Sequence, residues 1–254
     1  MNLTGKHIIV TGAAAGIGLG IARACAKAGA QVTGFDKDDG RAKMTEISAD
    51  FAQVDVTDLD AFEEAITTSH KRMGKLDGMV NNAGVTIKVP FLEMTRDQME
   101  TLWTVNQRSV LVGCQAAGRI MAEAGRGAIV NIASVHARAT NPGHEGYAAT
   151  KAAIVAMTRA MAWSLGAKGL RVNAISPAMT RTEIVEEAMK TPELAERFRS
   201  WTPDAEVTTV DEIGALAVFL LSDAGAALNG SDLLADRGMS SLLDIFDLEG
   251  KRNG

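Results

Sequence analysis

Cysteine is scarce in this chain, with only Cys25 and Cys114 among 254 residues. A protein of this length buries enough core to stand without disulfides. Two isolated cysteines in segments that read as helices fit packed thiols in a reducing compartment, with a reactive thiol as the alternative. An excess of basic residues is also lacking. Against 26 Lys and Arg there are 31 Asp and Glu, a net charge of −5, and neither sign forms a long run. Nucleic acid and anionic membranes are therefore poor partners. The apolar run at 213–221 is nine residues, far short of the roughly 20 that span a bilayer. Residues 1–6 lead straight into a strand-like segment, which leaves no room for a signal peptide. No Pro- or Ser-rich linker, repeat or low-complexity stretch divides the sequence. These absences place the chain among cytoplasmic globular proteins, as a single domain over 1–254.

What is present alternates. Hydrophobic residues make up 46% and charged residues 22% of the chain, close to globular averages. Strands are predicted at 7–11, 31–36, 51–55, 76–81, 128–133, 170–176 and 232–235. Helices are predicted at 16–29, 58–73, 95–124, 147–168 and 210–222. Ile8-Ile9-Val10 and Ala128-Ile129-Val130 are apolar on consecutive residues, as strands covered on both faces require. The fold class is thus α/β, a Rossmann-type doubly wound parallel sheet of about seven strands with helices on both faces. Residues 180–211, with two short helical patterns and both Pro192 and Pro203, read as an inserted helical flap.

The first strand ends in Thr11-Gly12-Ala13-Ala14-Ala15-Gly16-Ile17-Gly18, where a helix begins. Glycines allow the tight turn and a close backbone approach to a pyrophosphate, and the N–H groups and positive dipole of the helix start would face it. Asp36 ends the second strand, 18 residues after Gly18, near the ~20-residue offset of an acid that binds an adenosine ribose. Its carboxylate would accept from the ribose hydroxyls and repel a 2′-phosphate, favouring NAD over NADP. Lys37 leaves some NADP use open.

Tyr147-Ala148-Ala149-Thr150-Lys151 sets Tyr147, the sole tyrosine, and Lys151 four apart on one helical face. Ser134 ends the fifth strand 13 residues earlier. Oxidising an alcohol requires removal of its hydroxyl proton, and a free tyrosine, with a pKa near ~10, is a poor base at neutral pH. Lys151 and a positive nicotinamide ring can lower that value as nearby cations, and Ser134 can hydrogen-bond the substrate oxygen.

This ordered set, G-x-x-x-G-x-G followed by Asp36, Asn106, Ser134 and Y-x-x-x-K, resembles the classical NAD-preferring short-chain dehydrogenase/reductase family from Gly5 to about Gly238. The resemblance implies a catalytic tetrad of Asn106, Ser134, Tyr147 and Lys151, with Asn106 positioning a water and Lys151 also holding the nicotinamide ribose. It implies cofactor contacts from Gly12, Gly16, Ile17 and Gly18, from Asp55 and Val56 at the adenine, and from Asn82, Ala83 and Gly84 of the N-N-A-G segment. Pro177 and Thr182 would meet the nicotinamide side. It also implies a substrate lid at about 180–210 and a homo-oligomer, a tetramer in many relatives. The loop before Tyr147 carries His136, Arg138, Asn141, His144 and Glu145. That polar wall suits a sugar, polyol or hydroxy acid, with His136 and His144 as substrate contacts and a plain solvated loop as the alternative reading. Two histidines on a loop are too few for a metal, so none is expected.

Two departures from the family stand out. Ala178 takes the place of a glycine after Pro177, and Arg237 that of a glycine near the end. Arg237 and the tail at 239–254 could bind an anionic substrate group or tune assembly. The competing readings are an NADPH-using 3-oxoacyl-carrier-protein reductase, which Asp36 opposes, and a non-catalytic cofactor-binding protein, which has no use for the tetrad.

Overall fold

A computed structural model describes residues 1–241, so the part of the 239–254 tail beyond Ser241 lies outside the described residues. The chain runs β1 (His7–Thr11), α1 (Gly16–Lys27), β2 (Gln31–Asp36), α2 (Arg41–Glu46), β3 (Asp50–Gln53), α3 (Leu59–Met73) and β4 (Gly78–Asn81). It continues with α4 (Arg96–Trp103), α5 (Ser109–Ala124), β5 (Gly127–Ile132), α6 (Glu145–Gly166) and β6 (Leu170–Pro177). The last third holds β7 (Thr180–Arg181), α7 (Glu183–Ala188), α8 (Pro192–Arg199), β8 (Thr208–Thr209), α9 (Val210–Leu221) and β9 (Asp232–Ala235).

Seven strands form one parallel sheet in the order β3-β2-β1-β4-β5-β6-β9. Every residue of β1 is buried, because each face of the sheet carries its own core. Ile9 and Ile129 point into a layer shared with Phe62, Ile66, Cys114 and Ile154 from α3, α5 and α6. Their neighbours Ile8, Val10 and Val130 point the other way, to Ile21 and Cys25 of α1 and Ile213 and Leu220 of α9. Helices α1 and α9 come very close where Gly20 faces Val210, since a Cβ on Gly20 would sit 2.7 Å from the Val210 Cβ. That contact fixes α1 against α9.

The strand boundaries agree with the sequence reading to within about two residues, an ordinary difference at element ends. Three features were not expected. Helix α2 forms at Arg41–Glu46, where no helix is predicted. The predicted helix at 95–124 is interrupted by a π-helical turn at Thr104–Arg108, which contains Asn106. The flap at 180–211 is bounded by a second, two-stranded parallel sheet that pairs Thr180 with Thr208 and Arg181 with Thr209. Winding outward from β1 to β3 and then back to β4 opens a crevice at the carboxyl ends of β1 and β4, where such sheets bind ligands. No helix among the described residues is long and apolar enough to cross a membrane.

Candidate active site

At that crevice lies a cleft of about 710 Å³. The glycine loop forms one wall. Gly12 and Gly16 have φ of 66° and 55°, the left-handed region that glycine enters freely. A Cβ on Gly18 would overlap the Gly12 carbonyl oxygen and lie 2.5 Å from Asn82 Nδ2. Gly18 therefore does not line the cleft. It lets α1 press against the loop. The N-cap residue of α1, Ala15, makes no side-chain cap bond, and the first turn has no acidic residue, so the helix start keeps N–H groups for an anion. Asn82 closes the loop from β4, donating from Nδ2 to Thr11 O at 2.9 Å, while its amide N–H donates to Thr11 Oγ1 at 2.9 Å.

Asp36 stands at the cleft edge, its carboxylate accepting from the N–H groups of Ala14 (2.9 Å) and Asp38 (3.1 Å). Asp55 is held similarly by Thr57 N (2.9 Å) and Thr57 Oγ1 (2.8 Å), which pull its carboxyl below the usual range. Ile17, Val56, Ala83, Gly84, Pro177 and Thr182 also line the cleft. Loop, capless helix start and terminal carboxylate fit a dinucleotide.

Ser134, Tyr147 and Lys151 meet at the other end. Lys151 is buried, its Nζ donating to Ile132 O at 2.9 Å and lying 5.7 Å from the Tyr147 ring centre. Burial pushes its pKa down to about 8. Burial also pushes the Tyr147 phenol above its ordinary value, opposed by the nearby hydroxyls of Ser134 and Thr86. The protein alone thus does not hold Tyr147 as a ready base. Lys151 is not among the groups that lower the phenol in this structure. Thr86 carries no signal in the sequence, where it lies two residues after Gly84 in a segment without helical or strand periodicity.

Asn106 is fully buried behind this end rather than in the cleft. Its Oδ1 accepts from Val85 N at 2.8 Å, and its Nδ2 donates to Val85 O at 2.9 Å and to Thr150 Oγ1 at 3.2 Å. It clamps the segment that carries Thr86. His136 and His144 lie outside the cleft lining but flank Tyr147, with ring centres 5.5 and 6.4 Å from the tyrosine ring. Arg237 bridges Asp204 (2.5 Å) and Glu212. Those carboxylates take up Nη1 and Nη2 of its guanidinium. Among the described residues no group of three or more His, Cys, Asp or Glu is placed to hold a metal ion.

The family model described as enoyl-(acyl carrier protein) reductase matches residues 12–240. Gluconate 5-dehydrogenase of Gluconobacter oxydans is 34% identical over 94% of this chain and 96% of its own. The chain belongs to the short-chain dehydrogenase/reductase family. As a short-chain dehydrogenase/reductase it is an oxidoreductase of alcohols and ketones that uses a nicotinamide nucleotide. D-threitol dehydrogenase of Mycolicibacterium smegmatis is 36% identical over 93% of this chain and 94% of its own. Among solved structures, a gluconate 5-dehydrogenase from Burkholderia cenocepacia J2315, in complex with NADP and tartrate, superposes with a TM-score of 0.89. It is 31% identical and covers 95% of this chain and 98% of its own.

Proposed function

We propose that this protein is an NAD-dependent dehydrogenase that oxidises a secondary alcohol on a small polar molecule, a sugar, polyol or hydroxy acid. The observation that carries this reading is the meeting of the Tyr147 phenol with the Ser134 hydroxyl above buried Lys151, at one end of a cleft whose other end is Asp36. Bound NAD supplies the acceptor for the hydride that leaves the carbinol carbon. Ser134 donates to the substrate oxygen and stabilises its developing charge. Tyr147 Oη takes the hydroxyl proton as the carbonyl forms, and in the reverse direction returns it to the carbonyl oxygen. Lys151 keeps positive charge beneath the phenol and would hold the cofactor ribose. Asn106 holds Val85, and so the backbone that carries Thr86 beside the Tyr147 phenol.

The preference for NAD rests on Asp36, whose carboxylate disfavours a 2′-phosphate. The substrate class is supported by relatives that act on gluconate and D-threitol and by the polar loop at 136–146. The flap between β7 and β8 is read as a lid over one domain. Trp163 on α6 is 90% exposed and Leu111 on α5 is 43% exposed, apolar surface that supports assembly with further copies, as a tetramer.

The test is a panel of polyols, sugars and hydroxy acids assayed with NAD and NADP in parallel. We expect turnover with NAD, and loss of at least ~100-fold in kcat/KM for Tyr147→Phe with cofactor binding retained. Better use of NADP would overturn the reading of Asp36. Normal turnover by the phenylalanine variant would overturn the mechanism.

A further inference from the structure

We propose that Lys43 and Glu183 form an ionic strap over the cofactor cleft, which has to part before a dinucleotide enters or leaves and so governs the rate of cofactor exchange. This rests on the dehydrogenase reading and adds a gate to it. Lys43 lies on α2, the short helix that follows Asp36, and Glu183 is the first residue of α7 at the root of the flap. Lys43 Nζ meets both oxygens of the Glu183 carboxylate, at 2.9 and 3.3 Å. The two residues stand 140 positions apart in the sequence. Their contact joins the Asp36 side of the cleft to the flap, and Glu183 itself lines the cleft.

Both ends of the strap are seated around the glycine loop. Met44, next to Lys43, is fully buried against Gly34 of β2, where an added Cβ would lie 2.6 Å from its methyl carbon. Gly40, just before α2, packs on the loop itself, since a Cβ there would lie 3.0 Å from Ala14 Cα. On the flap side, a Cβ on Gly16 would lie 3.2 Å from Thr182 Cγ2. Thr182 thus covers the loop that a pyrophosphate approaches, and Glu183 follows it directly. Two side chains that meet from these fixed backbones close the path to the loop.

Charge explains why the strap needs both members. Asp36, Asp38, Asp55 and Glu183 line the cleft against Lys37 and Lys151, an acidic balance for a ligand that carries two phosphates. A bare Glu183 beside the loop would repel that ligand, and Lys43 neutralises it. Of the other cations close by, Arg41 is held by Asp39 and Arg181 by Glu186, which leaves Lys43 as the partner of Glu183. Both side chains remain open to solvent, 41% for Lys43 and 66% for Glu183. An ion pair so exposed is worth a small factor only, which suits a contact that opens on every turnover.

The experiment follows NADH leaving the full-length protein in stopped flow, by the change in its fluorescence after mixing with excess NAD. Glu183→Gln opens the strap without baring a charge, and should speed both association and release by about two- to fivefold. Lys43→Met should speed release by a similar factor and weaken binding, since its carboxylate is left unpaired. The exchanged pair, Lys43→Glu with Glu183→Lys, should release NADH more slowly than either reversal alone. Release no faster than the parent's in both neutral variants would overturn the strap, and so would an exchanged pair as fast as the single reversals. Failure of the parent to bind either NADH or NADPH would remove the dehydrogenase reading and the strap with it. Binding of NADH with unaltered release in the variants would remove the strap alone.

Discussion

Lys151 puts a cation where a cation is costly. Its pKa in the folded chain is about 8, against 10.5 for a solvated lysine. Between those values the unfolded chain binds more protons than the folded one, so this residue makes stability rise with pH across that window. Below pH 8 the full cost of burying the charge is present. Lys151→Met should therefore stabilise the protein at pH 7 by about 1–3 kcal/mol, less the loss of the bond to Ile132 O. The gain should vanish by about pH 10. Denaturant melts of both proteins at pH 7 and pH 10 check this, and a methionine variant less stable at pH 7 would refute it. Residues of this kind were legible because their polarity contradicts their surroundings. Asp36 and Ser134 stand where apolar strands end, and Lys151 interrupts an apolar helix. Thr86 was not legible, since a threonine in an irregular segment looks the same whether or not it touches a phenol. The upward shift of Tyr147 was also hidden, because burial is a property of the fold.

At the scale of elements, consecutive apolar residues in β1 and β5 gave away a two-sided sheet, and most helices kept their predicted places. The π-helical turn at Thr104–Arg108 was invisible because one extra residue in a turn leaves the apolar period nearly intact. Strands β7 and β8, two residues each, are too short to have a period. Arg237 marks a third case. It occupies φ 50°, where a non-glycine residue costs roughly 1–2 kcal/mol. It is kept there by its bridges to Asp204 at the end of the flap and Glu212 in the first turn of α9. Replacing it with glycine relieves backbone strain while freeing one end of the flap. Arg237→Gly should leave the melting temperature within a few degrees of the parent yet raise KM by about three- to tenfold with a parallel change in kcat. Unaltered kinetic constants would show that the flap is anchored elsewhere.

On the scale of the whole molecule, α5 and α6 leave Leu111 and Trp163 facing solvent in the single chain. Covering a tryptophan of that exposure is worth roughly 2–3 kcal/mol, which a self-associating surface repeats at every symmetric contact. Trp163→Glu should lower the particle mass seen in sedimentation while leaving the secondary structure intact. A parent protein that sediments as a monomer would contradict the reading of that face.

The two cysteines divide between the two faces of the sheet. Cys25 belongs to the layer with α1 and α9, and Cys114 to the layer with α3, α5 and α6. Burial raises the pKa of each thiol to about 12, so neither offers a thiolate to an alkylating reagent while its layer is closed. Labelling at either sulfur consequently records an opening of that layer alone. The order in which the two are modified during slow denaturation tells which side of the sheet loosens first, and no engineered probe is required.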